Sequence, residues 1–186
     1  YGKPGNYVAR QVSRWSKQYR ASETDNIEAM NNLIEWLPKN IPDDDETTIV
    51  HGDYRLDNMI LRNNEVIGIL DWELSTLGHP IADFSYHCLS WRTQEAFWDE
   101  AKLKELGIPS EKEYMEMYCK YSGKDLSKNW EFYMAFNMFK IAGILQGILG
   151  RVRDGTAASK HAEERGNMVF PLSEAAWSTI EENFLK

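Results

Sequence analysis

One short stretch places several chemically capable side chains at fixed spacing. His51-Gly52-Asp53-Tyr54-Arg55-Leu56-Asp57-Asn58 has the form H-x-D-x-x-x-x-N, and Asp71 follows Asn58 by 13 residues. With this chain's content of His, Asp and Asn, such a triple arises by chance roughly once in 70 chains. Two carboxylates and one amide offer hard oxygen ligands, the kind Mg²⁺ prefers. Phosphoryl transfer is a reaction that needs this set. Mg²⁺ neutralises the nucleotide phosphates, held by one carboxylate and a neutral oxygen, and a second carboxylate orients and deprotonates the attacking hydroxyl. Asp71 and Asn58 fit the metal role and Asp53 the base. Arg55 would set a fixed cation beside the transferring group.

Each residue also has an ordinary structural reading. His51 can be a hydrogen-bonded structural histidine, and Asp53 and Asp71 can cap a loop and a turn. Arg55 can pair with a neighbouring carboxylate. Asp57 reads as a turn residue in solvent, Glu73 as pocket wall or ion-pair partner, and His79 as the entry to a helix with Pro80 at its first position. A zinc site from His51, Asp53 and His79 lacks the usual ligand spacing. A metal-dependent hydrolase built on Asp53 and Asp71 needs more ligands than this stretch supplies.

The elements that must position these residues follow from periodicity. Thr47–Val50 reads as a strand, and Asn58–Leu61 and Val66–Leu70 flank Asn63-Asn64 as a hairpin. Asn58 and Asp71 then lie on opposed arms, about 5 Å apart, within reach of one cation. Residues near 47–72 are expected to be the only substantial β structure. Elsewhere the pattern is helical. Val8, Val12, Trp15 and Tyr19 mark a helix over roughly 6–21, and Asp25 with Glu28 resembles a capping box for a second. Ser110 and Glu113 form another such box, with Gly123 as a stop. Ser127 opens a long apolar stretch ending near Gly155, and Pro171 breaks the last helical region ahead of Leu172–Leu185. The acidic run 43–46 reads as a solvated loop.

Composition sets the outer bounds. The 186 residues carry 21 Lys+Arg against 29 Asp+Glu, a formal charge of −8, with 42% hydrophobic and 12% aromatic residues. That is globular, too apolar for disorder, and the acidic balance argues against nucleic acid as a partner. No apolar run approaches the roughly 20 residues of a membrane span. Cys88 and Cys119 provide neither a disulfide framework nor a four-ligand metal site.

The catalytic stretch resembles that of the kinase-like phosphotransferases, H-R-D-L-x-x-x-N followed by D-F-G. His51-Gly52-Asp53, Asn58 and Asp71-Trp72-Glu73 are similar to the aminoglycoside phosphotransferase and choline-kinase-like branch. The wider string over 49–86, with Leu70–Ser75 and Gly78–Asp83, is similar to the phosphotransferase-like domain linked to acyl-CoA dehydrogenases. The resemblance implies an α+β, mainly α chain: the helical C-terminal lobe of a protein-kinase-like fold, with a small β-hairpin insert at the catalytic loop. It implies Asp53 as base, Asn58 and Asp71 as Mg²⁺ ligands, His51 as a brace, and Asp83 holding the loop backbone from the next helix. ATP and Mg²⁺ would be the cofactors and a small-molecule hydroxyl the acceptor, of hydroxyacyl type in the dehydrogenase-linked branch. The same likeness implies an intracellular setting, the cytoplasm or an organelle of fatty-acid metabolism, without deciding between them.

The departures are specific. No G-x-G-x-x-G and no strand lysine in a V-A-I-K context occurs. Residues 1–186 are therefore expected to form a single unit, with the nucleotide-covering N-terminal lobe of the same polypeptide preceding Tyr1. A non-catalytic binding or regulatory module on the same fold is the alternative. It would be expected to have lost Asp53, Asn58 or Asp71.

Overall fold

A computed structural model describes residues 2–44, 46–93 and 100–186. Helix α7 (Trp130–Arg153) organises the molecule. Its residues 132–139 are buried without a break, so no face is polar, the pattern of a central core helix. It is also long and apolar enough to cross a membrane by length and composition, contrary to the expectation from the sequence. In this fold 72% of its most apolar window is buried inside the protein.

Helix α1 (Tyr7–Ala21) lies along α7 and buries Val8, Val12, Trp15 and Tyr19, the stripe its periodicity predicts. Trp15 packs over Gly143, Gln18 over Gly147 and Ser22 over Gly150, so the two helices run in the same direction. Helix α2 (Glu28–Trp36) packs on the last helix of the chain. The Asp25–Glu28 box does not form: Ile27 is the N-cap and makes no side-chain cap bond. Asp25 instead accepts from Thr24 Oγ1 and pairs with Arg153 of α7. A bond to a residue remote in sequence has displaced the local one.

Four short strands follow. β1 (Thr48–Val50) pairs antiparallel with β4 (Thr76–Gly78), and β2 (Met59–Arg62) with β3 (Glu65–Ile69). The hairpin forms as expected. Asn63 and Asn64 both take positive φ, 52° and 63°, as a tight hairpin turn requires. β4 lies beyond the expected β region; three residues give too little alternation to be read from sequence. Its Gly78 is needed, because a Cβ there would sit 2.6 Å from Val50 Cγ2 and 3.1 Å from Tyr7.

Beyond β4 come α3 (Pro80–Cys88), α4 (Ser90–Thr93), α5 (Glu100–Glu105), α6 (Glu111–Ser122), α8 (Ala162–Asn167) and α9 (Val169–Phe184). Pro80 occupies the first turn of α3, as read. Pro171 does not break its helix. It sits in the first turn of α9, where a missing N–H costs nothing. Ser127 does not open α7 either: its N–H bonds Asp125 Oδ1 in the preceding turn, and the helix starts at Trp130. α3 is fixed to α7 by buried Asn137, whose Nδ2 donates to Ala82 O (2.9 Å) and Ser85 Oγ (2.8 Å).

The acidic run is more than a solvated loop. Asp44 accepts from the Tyr133 hydroxyl (2.9 Å) and pairs with buried His79, while Glu46 pairs with Lys124. Asp45 lies outside the described residues.

The capping box on α6 forms as the sequence predicts: Ser110 N–H donates to Glu113 Oε2 (2.8 Å) and Glu113 N–H to Ser110 Oγ (3.3 Å). Ser110→Ala should lower stability by about 1 kcal/mol, read as a lower urea midpoint with an unchanged slope.

Candidate active site

The loop after β1 is held from both sides. Asp83, in the first turn of α3, accepts His51 N–H on Oδ2 (2.8 Å) and Gly52 N–H on Oδ1 (2.9 Å). One carboxylate thereby satisfies two backbone donors that point away from any strand. Gly52 takes φ 86°, and a Cβ there would lie 2.7 Å from Leu74 O, so the loop can cross the chain after β3 only with glycine.

His51 is buried. Its Nδ1 accepts Asp53 N–H (3.2 Å), which leaves the ring proton on Nε2 for Leu70 O (2.8 Å). The imidazole thus spans from the loop bearing Asp53 to the residue just before Asp71. Both nitrogens are committed. His79 Nε2 is likewise committed, to Asp44 and the Tyr133 hydroxyl, while its buried Nδ1 has no hydrogen-bond partner among the described residues.

Asp53 is half-buried. Its Oδ1 accepts the Tyr86 hydroxyl (2.9 Å) and its Oδ2 accepts Asn58 Nδ2 (3.1 Å), which also donates to Asp53 O (2.8 Å). Burial, and then the bond to Asp53, push the Tyr86 phenol up to about 12, so it stays a donor at neutral pH. Asn58 stands at the open end of the hairpin, its carbonyl accepting Leu70 N–H at 2.8 Å, one residue from Asp71. With Nδ2 spent on Asp53, its Oδ1 makes no hydrogen bond among the described residues.

Asp71 is a non-glycine residue in the left-handed region, φ 61° and ψ 51°, a conformation Asp tolerates at a cost of roughly 1 kcal/mol. Its carboxylate is exposed, caps nothing, and makes no hydrogen bond or ion pair among the described residues. Glu73 is exposed as well. Arg55 pairs with Asp57, both side chains more than half exposed, and its charge also acts on Asp53 and the Tyr86 hydroxyl.

Among the described residues no three His, Cys, Asp or Glu cluster to hold a metal. The open oxygens of Asn58 and Asp71 suit a Mg²⁺ that arrives with its phosphates and keeps its waters, rather than one caged by protein alone.

Two residues join this group without a signature of their own. Tyr86 lies three positions after Asp83, on the same helical face, a spacing that could have flagged it. Lys140 is the sole charged residue between Phe132 and Leu149, and its ammonium lies 4.7 Å from the Tyr86 ring. A cleft of about 340 Å³ opens beside Tyr54, with Phe84, Tyr114 and Tyr118 along its wall.

The chain is 46% identical over 184 residues to mouse acyl-CoA dehydrogenase family member 10, covering 95% of this chain and 17% of that protein. Human acyl-CoA dehydrogenase family member 11 is 40% identical over 191 residues, covering 99% and 24%. The crystal structure of a putative aminoglycoside phosphotransferase from Ralstonia eutropha superposes with a TM-score of 0.91 at 50% identity. It covers 98% of this chain, which in turn spans 57% of that one. The present chain is therefore a fraction of the length of each relative. The phosphotransferase enzyme family model matches residues 1–118, the span from α1 through the Asp53 loop and the hairpin into α6. The chain belongs to the phosphotransferase enzyme family and has the helical C-terminal-lobe architecture of its kinase-like fold.

Proposed function

We propose that this chain is the catalytic-loop lobe of a small-molecule kinase that moves the γ-phosphate of ATP to an alcohol. The observation that carries the reading is the pairing of Asp53 and Asp71 in contrasting states. One carboxylate is fixed by Tyr86 and Asn58 on a loop braced by Asp83; the other is open to solvent one residue beyond the hairpin.

Asp53 takes the acceptor's proton as its oxygen bonds the γ-phosphorus and the bond to the β–γ bridging oxygen breaks, releasing ADP. Asn58 Oδ1 and Asp71 would hold Mg²⁺, which offsets charge on the phosphates. His51 and Asp83 position the loop. Arg55 can turn to the transferring group, because an exposed pair with Asp57 is worth little. The acyl-CoA names of the relatives support a hydroxyacyl acceptor. The partial span of the solved relative supports placing the phosphate-gripping lobe in polypeptide outside these 186 residues.

The test is ADP release and ³¹P NMR on the full-length polypeptide with MgATP and a panel of hydroxyl compounds. Acceptor-dependent, Mg²⁺-dependent ADP release is expected. Its absence across the panel would leave the non-catalytic module as the better reading. Residues 1–186 alone should bind MgATP no tighter than about 1 mM and show no turnover, since a chain at −8 offers few counter-charges to the triphosphate. Clear turnover by the isolated chain would show that no second lobe is needed.

A further inference from the structure

One face of α3 holds the loop after β1 residue by residue. Asp83 takes the backbone N–H groups of His51 and Gly52, and the Tyr86 hydroxyl donates to the Asp53 carboxylate. His87 reaches the next residue along: its Nδ1 lies 3.2 Å from Tyr54 O. Positions 83, 86 and 87 are spaced i, i+3 and i+4, so the order of groups on one helical face matches the order of the loop. From Tyr54 to Asp57 this is the one hydrogen bond to another element among the described residues, and Tyr54 O has no other partner there.

The partners of His87 fix which nitrogen carries its proton. A carbonyl oxygen only accepts, so Nδ1 is the donor. Nε2 then accepts from the Tyr114 hydroxyl of α6, at 3.2 Å. Burial draws the imidazole below its ordinary pKa, while the Tyr54 carbonyl and the Asp83 carboxylate raise it, and the ring is neutral at neutral pH. Burial likewise pushes the Tyr114 phenol up to about 12, so it keeps the proton it donates. The far end of this relay is anchored in turn. The Tyr114 ring stacks on Trp91 at 5.1 Å, and Trp91 Nε1 donates to Pro109 O (3.0 Å), next to the Ser110 cap of α6. Placing a polar ring among those of Tyr54, Trp91 and Tyr114 costs desolvation. What the ring supplies there is a backbone donor just after Asp53.

Resting on the kinase reading above, we propose that His87 is a positioning residue for the reaction. Its Nδ1–H holds the Tyr54 carbonyl and so sets the chain between Asp53 and Asn58, while Tyr114 keeps the ring in the one neutral tautomer that can donate there. The loop bearing the base is thereby coupled to α6 as well as to α3.

The experiment replaces the two ring nitrogens one at a time. An Asn amide nitrogen stands near the place of Nδ1 and can still donate to Tyr54 O; a Gln amide oxygen can stand near Nε2 and accept from Tyr114, but leaves Tyr54 O unbonded. ADP release from MgATP by the full-length polypeptide is measured with the panel of hydroxyl compounds. His87→Gln should lower kcat about 10-fold, the worth of one hydrogen bond that positions a reacting group. His87→Asn should recover most of that loss, and neither should move the KM for ATP. A histidine that only stabilised the fold would lower the urea midpoint in both variants without splitting kcat between them. Amide exchange, read by mass spectrometry on peptides spanning 53–58, should be faster in His87→Gln and Tyr114→Phe than in the wild type, and close to wild type in His87→Asn. Tyr114→Phe keeps its ring on Trp91, so it carries the test if a His87 variant folds poorly.

Equal turnover in the Asn and Gln variants, a loss confined to Asn, or a change in the KM for ATP without a loss in kcat would overturn the proposal. If no compound is turned over, the kinase reading fails on its own account. Exchange at 53–58 then decides whether His87 sets the loop, and rates equal to wild type in all three variants would end the proposal.

Discussion

Asp53→Asn should cut phosphoryl transfer by about 10²–10⁴-fold, the usual worth of a positioned general base, with MgATP affinity retained. The substitution is nearly isosteric. The Asn oxygen can still accept from Asn58 Nδ2, and the Tyr86 hydroxyl can turn to accept rather than donate, so loop geometry survives while the proton acceptor is lost. Asp71→Ala should behave oppositely. It removes the open carboxylate proposed for Mg²⁺, and MgATP affinity should fall on the order of 100-fold. Asn at position 71 is the sharper variant, since Asn also tolerates φ near 61° and changes only the charge. Calorimetry with MgATP separates the two roles. Equal affinity in the Asp53 and Asp71 variants would contradict the assignment of both.

Asp83→Ala is expected to be the most damaging change outside the reacting group. It strips the acceptor from His51 N–H and Gly52 N–H together, and His51 is buried, so water cannot fully replace it. A loss of about 2–3 kcal/mol in stability should be accompanied by at least about 100-fold lower turnover, because the base is displaced from its productive position. Amide exchange distinguishes the cause. The His51 and Gly52 amides should exchange faster in the variant, while those of α7 keep their protection relative to global unfolding. Full turnover in a chain with unprotected amides would show that Asp83 does not position Asp53.

The features legible in the sequence were the local ones. The H-x-D-x-x-x-x-N string, the Asn-Asn turn, the stripe on α1 and the Ser110–Glu113 box all depend on residues a few positions apart. The Asp25–Glu28 box matched the same template and failed, since Arg153 competes for Asp25 from the far end of α7. Tyr86 and Lys140 stand at unremarkable places in their helices. Tyr86 meets Asp53, and Lys140 the Tyr86 ring, only through packing of α3 on α7. Arg55, singled out for its closeness to Asp53 in sequence, has Asp57 as its ion-pair partner while its charge still acts on Asp53. Asp44 looked like one acid in a solvated run until β4 and α7 brought His79 and Tyr133 beside it.

The two small sheets also differ in how they can come together. β2 and β3 join through a two-residue turn, a closure that takes on the order of 1–10 μs. Val50 meets Thr76 only after the intervening segment has been drawn into a ring, and Asp83 reaches His51 across 32 positions. Such pairings bear their entropy cost before any contact repays it. The hairpin bearing Asn58 is thus expected early in folding, and the ring that seats Asp53 late, after α3 has docked on α7. In the native state the same order runs backwards. The ring should open while the helical core stays intact, so a protease or an exchange experiment is expected to find the Asp53 loop to be the first segment released.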